Sequence, residues 1–160
     1  MELDSIIEHE KFRTYCNTFV HRYNGYTVMR DGEWSTRDKI LSDIPIAAHI
    51  AGQYQVGCRG GHFANSAVLD FDDVQLDTIY RVRENIGLDE STSLLCTSAS
   101  DNSYHLYFRP CYSGEQVTVP WLHDLLKSSC IHEGKRIELY PDRTHALRLP
   151  FGPMQRIVSP

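Results

Sequence analysis

The chain has 160 residues, of which 41% are hydrophobic and 23% charged, a balance typical of one folded domain rather than a disordered tail. It contains neither an apolar run of roughly 18 residues nor a signal-peptide core, so we expect a cytoplasmic protein with no membrane partner. Five cysteines without regular spacing favour free thiols in a reducing compartment. The net charge of −5 excludes a simple basic nucleic-acid binder.

The first sixty residues predict an α/β unit. The first expected element is a helix that carries Phe12, Tyr15, Phe19 and Tyr23 and ends at Asn24-Gly25, and the second is a strand over 26–30 closed by an Asp31-Gly32 turn. A helix over 37–51 with a break at Pro45 follows. The last expected element is a strand over 54–58, followed by a turn at Arg59-Gly60-Gly61. No repeat or linker interrupts the chain, which predicts a single domain over 1–160, with this unit at 1–60.

The remainder, 61–160, alternates strands and helices. The expected strands cover 66–72, 92–98, 103–109, 136–140 and 146–149, and the expected helices cover 76–86 and a segment opened by Pro120 and ended by Gly134. The resulting order β-α-β-β-α-β-β contains the split βαβ arrangement of an RRM-like unit. The predicted fold class is therefore α+β, with an RRM-like sheet behind an N-terminal α/β unit.

Polar residues occur at alternate positions of these strands. Because residues two apart in a strand share a face, we expect Asp70 to lie beside Asp72, and Ser103 beside His105. In the other two strands, Arg136 and Glu138 lie opposite Ile137 and Leu139, and Arg148 lies between two apolar neighbours. In a split βαβ sheet the polar faces of the central strands can converge on one open surface.

Carboxylates clustered on one side of a sheet predict a site for hard cations. Mg²⁺ and Mn²⁺ prefer carboxylate oxygens and keep positions for water or phosphate. Two such ions about 4 Å apart can activate an attacking hydroxyl and stabilise a leaving pyrophosphate. A Ser-x-His pair and an arginine on the same sheet suit a triphosphate. The pattern points to phosphoryl or nucleotidyl transfer, although capping residues, a hydrogen-bonded histidine and solvated strand faces would explain each part alone.

The order of these motifs resembles that of a known superfamily. The runs DFD, SYH, IELYP and ALRLPFG, preceded by AAHIAG, resemble the motifs of the archaeo-eukaryotic primase (primase-polymerase, PrimPol) superfamily over about Ala47 to Gly152. In that superfamily an acidic pair, an S-x-H motif and a later single acid lie on an RRM-like catalytic sheet. The resemblance implies a template-directed nucleotidyltransferase, a primase or DNA polymerase that uses two Mg²⁺ or Mn²⁺ ions.

The resemblance also implies roles for individual residues. Asp70, Asp72 and Glu138 would be the catalytic metal ligands, and Ser103 with His105 would contact the phosphates of the incoming nucleotide. The expected partners are nucleoside triphosphates, a single-stranded DNA template or primer-template, and a fused or associated helicase or other replication domain.

Arginines supply the remaining candidates. Arg148 falls where relatives often have a residue near the nucleotide, and Arg136 shares the strand face of Glu138. Residues 135–160 hold five bases and two acids, which gives this stretch +3 and leaves −8 for the rest of the chain. Arg143 in this stretch, and Arg59 outside it, are candidates for contacts with template phosphates, with solvated surface charge as the alternative.

Other chemistries fit less well. The residues Cys111, His123, Cys130 and His132 match no paired-ligand spacing, so zinc is not expected. Two functions besides a polymerase stay open. One is a metal-dependent nuclease or phosphodiesterase that uses the same carboxylates, and the other is a non-catalytic RRM-like nucleic-acid-binding module, which would need exposed aromatic residues on its central strands.

Overall fold

The computed structural model describes residues 2–22, 24–61, 63–98, 100, 102–132, 135–142 and 144–158. The described chain is α+β, with antiparallel strand pairing throughout. Its helices are α1 (Leu3–Ile7), α2 (Glu10–Phe19), α3 (Asp43–Ile50), α4 (Leu76–Asn85) and α5 (Val119–Leu126). None of these helices has the length and apolar character that crossing a bilayer requires.

The strands are short and numerous. They are β1 (Asn24–Arg30), β2 (Glu33–Ile40), β3 (Gln55–Arg59), β4 (Phe63–Ala64), β5 (Ala67–Phe71), β6 (Ser93–Thr97), β7 (Tyr104–Phe108), β8 (Cys111–Tyr112), β9 (Glu115–Thr118), β10 (Ile131–His132), β11 (Lys135–Arg136), β12 (Glu138–Tyr140) and β13 (Ala146–Arg148). The chain divides into two compact units, the first formed by Met1–Gly61 with Pro141–Pro153 and the second by His62–Tyr140 with Met154–Pro160. The single-domain assignment stays a prediction.

The first unit is built on a four-stranded sheet of order β13-β3-β1-β2. Tyr26 and Val28 of β1 lie opposite Cys58 and Val56 of β3, and all four pack in the buried core of this unit. The same core takes apolar residues from three helices, among them Ile6, Phe12, Cys16, Ile46 and Ala47. One face of this sheet is therefore the buried face.

A histidine lies at the centre of the first unit. His49 of α3 is fully buried, its Nδ1 accepts a hydrogen bond from the backbone N–H of Val56 at 3.1 Å, and its Nε2 lies 3.1 Å from the carbonyl oxygen of Pro150, to which it donates. A neutral imidazole has one acceptor and one donor nitrogen, so both ring nitrogens of His49 have the hydrogen-bond partner they need. At Gly152, a Cβ atom would lie 2.0 Å from the Cε1 of His49, so only glycine fits beside the ring.

The second unit contains another four-stranded antiparallel sheet, of order β12-β5-β7-β6. The chain runs through β5, α4, β6 and β7, then through the β8–β9 hairpin to α5, and through β10 and β11 to β12. One face of the sheet is apolar and packs with α4 and α5 in a core that includes Leu69, Phe71, Ile79, Leu106, Leu122 and Leu139. A three-stranded sheet of order β4-β9-β8 and a two-stranded sheet formed by β10 and β11 complete the described strands of this unit.

The predicted helix over 37–51 is wrong in its first part. Residues 37–40 continue β2, because Asp31 and Gly32 both have positive φ and form a two-residue turn that pairs the following segment with β1. The helix begins only at Asp43. Pro45 does not break it, because proline is tolerated in a first turn, where its missing N–H has no intrahelical partner to lose.

Other boundaries also differ. Arg59 belongs to β3 and not to a turn, and the predicted strand over 136–140 is divided between β11 and β12. The last helix begins as expected around Pro120 but ends at Leu126, well before Gly134. The short β8–β9 hairpin was not predicted, because its exposed strands lack an apolar alternation. The helix over 76–86 and the strands over 92–98 and 103–109 are confirmed to within one residue at each end.

The buried histidine predicts a pH dependence of stability. Burial lowers the pKa of His49 from 6.5 to about 4, so between these values the unfolded chain binds a proton that the folded chain does not. We expect its contribution to the free energy of unfolding to be fully present above pH 6.5 and lost as the pH falls towards 4, by about 3 kcal/mol.

Urea unfolding at a series of pH values measures this loss. The His123→Gln variant should keep the slope between pH 6.5 and 4.5, whereas His49→Gln should lack it if the variant folds. A wild-type stability that stays flat over this interval contradicts the assignment of a neutral buried ring.

Candidate active site

Three predicted residues stand side by side across the second-unit sheet. Asp70 of β5 lies directly opposite Glu138 of β12 on one side and His105 of β7 on the other. Directly opposed residues of antiparallel strands project to the same face, with Cβ atoms about 5 Å apart. These three side chains, here called the polar row, therefore share the face opposite Leu69 and Leu106, which belong to the core.

The polar row ends at a cysteine. Cys96 of β6 lies opposite His105 and is 1% exposed. Burial raises the pKa of the Cys96 thiol to about 11, so the thiol remains neutral at physiological pH. It fills space at the end of the row and does not act as an anionic ligand.

Asp70 carries a buried carboxylate oxygen. Its Oδ1 lies 3.2 Å from the Nε2 of His105, but the contact lacks hydrogen-bond geometry and no other described group donates to this oxygen. A buried carboxylate oxygen without a donor is costly in a folded protein. Such an oxygen is suited to accept a ligand that brings positive charge.

His105 is held by several polar neighbours. It is 4% exposed, and its Nδ1 lies 3.1 Å from the Tyr107 hydroxyl and 3.2 Å from the side-chain amide nitrogen of Gln155. With the Gln155 amide in this orientation, Nδ1 accepts, because an amide nitrogen can only donate. A neutral ring then carries its proton on Nε2, and in either protonation state Nε2 faces Asp70 and, at 3.3 Å, the hydroxyl of Ser98.

Ser103 immediately precedes β7 and is 3% exposed. Its hydroxyl oxygen accepts a hydrogen bond from the Ser100 hydroxyl at 2.8 Å, and its carbonyl accepts one from the backbone N–H of Ser98 at 2.7 Å. In the described structure Ser103 thus braces the turn before β7. The predicted phosphate contact of Ser103 stays a prediction.

The other two carboxylates are exposed. Glu138 accepts a 2.5 Å hydrogen bond from the hydroxyl of Tyr140, two residues further along β12. Asp72 follows the end of β5 at Phe71, in a bend before Asp73, which has a φ of 52°. The alternation expected to place Asp72 on the face of Asp70 therefore does not extend to Asp72.

The predicted arginines that the structure describes lie on strands other than those of the polar row. Arg148 and Arg59 both belong to the first unit, in β13 and β3. Arg148 lies opposite Gly57, so it shares with Arg59 the sheet face that does not carry Val56 and Cys58. Arg136 lies in β11, paired with β10, and the structure describes only its backbone. Arg143 lies outside the described residues.

The carboxylates fit a divalent cation in chemistry but do not form a closed cage. Within the described part of the chain, no three acidic, histidine or cysteine side chains stand close enough together to enclose a metal ion. The donorless Oδ1 of Asp70 and the neighbouring Glu138 carboxylate are nevertheless the oxygen ligands that Mg²⁺ and Mn²⁺ take.

The described part of the chain also contains an apolar cavity of about 310 Å³ in the first unit. It is lined by residues of α1 and α2 together with Ile50 and Phe151, and its described lining includes none of the predicted site residues. Its apolar walls do not suit a charged triphosphate.

Sequence reasoning missed the two side chains that contact Nδ1 of His105. Tyr107 alternates with Ser103 and His105 along the same strand, so the period of two was enough to find it. Gln155 lies 50 residues beyond His105 in a segment without regular structure, and also donates to the Tyr107 hydroxyl at 3.2 Å. No local pattern in the sequence predicts a contact of that separation.

Comparison with known proteins adds no relative. The chain matches no protein-family model and no curated protein.

The hydrogen bonds of the site predict different effects on stability for two substitutions. Tyr107→Phe removes a hydroxyl that bonds both His105 and Gln155, and should lower the free energy of unfolding by about 1–2 kcal/mol. Asp70→Asn removes the charge of a carboxylate whose buried oxygen accepts no hydrogen bond, and should not lower it. Urea unfolding at pH 7 compares the two. A larger loss in Asp70→Asn than in Tyr107→Phe contradicts this description of the Asp70 carboxylate.

Proposed function

We propose that the chain is a metal-dependent nucleotidyltransferase that joins nucleotides on a DNA template, as a primase or DNA polymerase does. The observation that carries the proposal is the polar row, in which a carboxylate with a donorless buried oxygen lies between a second carboxylate and an imidazole. Anionic ligands do not bind beside two carboxylates unless a cation accompanies them. A metal–triphosphate complex provides both charges at once.

The sheet topology supports the RRM-like part of the proposal. β5 and β6 are both antiparallel to β7, which lies between them, so they run parallel to each other and are linked through α4. This is the connection expected of a split βαβ unit. β12 then adds to the outer side of β5 and brings Glu138 next to Asp70.

The residues of the row have two tasks in this proposal. Asp70 and Glu138, with Asp72 near the end of β5, hold Mg²⁺ or Mn²⁺ through their carboxylate oxygens. When bound, the ions neutralise phosphate charge and support the attack of a hydroxyl group. His105 presents its Nε2–H on the same face, where it can donate to a phosphate oxygen. Tyr107 and Gln155 keep Nδ1 as the acceptor and so direct that proton.

The basic residues are proposed to serve phosphates as well. Arg148 and Arg136 are candidates for the triphosphate, and Arg59 and Arg143 for the template. Guanidinium groups suit this task because they bond two phosphate oxygens at once. The net charge of −5 keeps the affinity for bare nucleic acid low and salt-sensitive, so a helicase or another replication domain is proposed to hold the template.

A non-catalytic RRM-like nucleic-acid-binding module fits the polar face less well. Such modules stack bases on exposed aromatic side chains of the central strands. On β7 the only aromatic residue of this face is Tyr107, which is 2% exposed and bonded to His105. The face offers carboxylates where that function needs open rings.

Substitution of the carboxylates tests the proposal. Asp70→Asn and Glu138→Gln should each reduce nucleotide incorporation by at least about 100-fold, because each removes a charged oxygen ligand. The measurement is extension of a labelled primer on a DNA template with Mg²⁺ or Mn²⁺. Asp124→Asn, at an exposed position of α5, is the matched control and should extend normally.

The outcome of that assay also separates the alternatives. Near-normal extension by Asp70→Asn overturns the metal assignment. Degradation of the primer by the wild type, lost in Asp70→Asn, assigns a nuclease to the same carboxylates instead.

His105 predicts a selective loss of nucleotide affinity. His105→Ala removes a donor to a charged acceptor, and the Kd for a nucleoside triphosphate with Mn²⁺ should rise roughly 10- to 100-fold. The Kd for template DNA should change little. Calorimetric titration measures both, with His123→Ala as the control. An unchanged nucleotide Kd in His105→Ala counts against a phosphate contact.

A further inference from the structure

The outer strand of the first-unit sheet is exposed on both faces. β2 borders β1 alone in the described sheet, and all eight of its residues are exposed. Trp34 is 47% exposed and lies on the face away from the core, because its neighbours Glu33 and Ser35 are on the side of Val28. A long open edge strand with an exposed aromatic residue is a ready template for pairing with another strand.

The turn geometry shows which groups of β2 point outward. Asp31 and Gly32 form a two-residue hairpin loop, so the closing pair Arg30 and Glu33 exchange backbone hydrogen bonds. Ser35 is bonded to β1 in the same way, because bonded pairs alternate with non-bonded ones. The backbone N–H and C=O groups of Trp34 and Thr36 therefore point away from β1.

A bulge limits the regular part of the strand. Between Arg37 and Ile40, β2 has one residue more than the opposite stretch of β1, from Asn24 to Tyr26. The side chains and backbone groups of β2 therefore alternate regularly only from Glu33 to Arg37. Consider the same strand of a second copy as an antiparallel partner. If it pairs along the whole of this segment and bonds the outward groups of Trp34 and Thr36, only one register is possible.

That register is complementary to itself. Ser35 lies on the two-fold axis. Glu33 of each copy lies opposite Arg37 of the other copy, so two opposite-charge pairs form on one face. On the other face, Trp34 is diagonal to Trp34 of the second copy, within reach of aromatic contact. No like charges stand opposite each other.

We propose that β2 is an interface between two copies of this chain, joined edge to edge through Glu33–Arg37 into a continuous antiparallel sheet. The hairpin from Arg30 to Lys39 holds three bases and three acids, and such a neutral surface does not favour a nucleic acid as the partner. A five-residue edge buries less area than a stable obligate dimer needs, so the association is weak, with a Kd on the order of 10–100 µM.

Charge reversal tests both the interface and its register. Sedimentation of the full chain across a concentration series should show dimers, and Glu33→Arg or Arg37→Glu should raise the dimer Kd at least about tenfold, because each places like charges opposite each other. An equimolar mixture of the two variants, and the double variant E33R/R37E, should restore dimerisation. Asp124→Arg is the control of equal charge change and should dimerise like the wild type.

Each other outcome overturns the proposal. A wild-type protein that stays monomeric at several hundred micromolar shows that β2 does not pair with a second copy of itself, and this conclusion holds whether or not the protein binds DNA. Single variants that dimerise normally place any dimer elsewhere on the molecule. A mixture that stays monomeric rejects the pairing of Glu33 with Arg37. Circular dichroism melting of each variant, whose substituted side chains are exposed in the wild type, separates lost pairing from lost folding.

Discussion

The antiparallel pairing of β5 with β12 and β7 is the constraint on which the candidate site depends. Side chains alternate along a strand, so the pairing that buries Leu69 and Leu106 in the core also forces Asp70, His105 and Glu138 to the opposite face. A slip of one residue would exchange the two faces of β5 and bring Asp70 into the core. The apolar core of the second unit thus fixes the sheet face on which the members of the polar row lie.

The row combines features that do not help folding. A carboxylate oxygen is buried without a donor, and a second carboxylate lies on the next strand. The histidine beside them is, by contrast, held by Tyr107 and Gln155. Strained or unsatisfied groups next to well-supported ones are typical of functional sites. The contrast with His49 is instructive, because there the surroundings satisfy both ring nitrogens and leave nothing for a ligand.

The sequence was sufficient to predict what depends on strand periodicity. It predicted the shared face of Asp70, His105 and Glu138, since each lies between apolar neighbours at a period of two. It could not predict that Gln155 returns to His105, because that contact depends on tertiary packing. It also misassigned 37–40 as helix, since exposed charged residues fit either period and the Asp31-Gly32 turn decided in favour of a strand. Predictions for Arg136 and Arg143 fall on residues whose side chains lie outside the described structure.

Paramagnetic broadening by Mn²⁺ tests whether the polar row binds a divalent cation. Backbone amide signals of the ¹⁵N-labelled protein report where substoichiometric Mn²⁺ binds, because broadening falls steeply with distance. We expect loss of signals from β5, β7 and β12 around Asp70 in the wild type and in Asp124→Asn, and recovery of those signals in Asp70→Asn. Broadening confined to other acidic positions, such as Asp89 or Asp142, or unchanged by Asp70→Asn, contradicts this expectation.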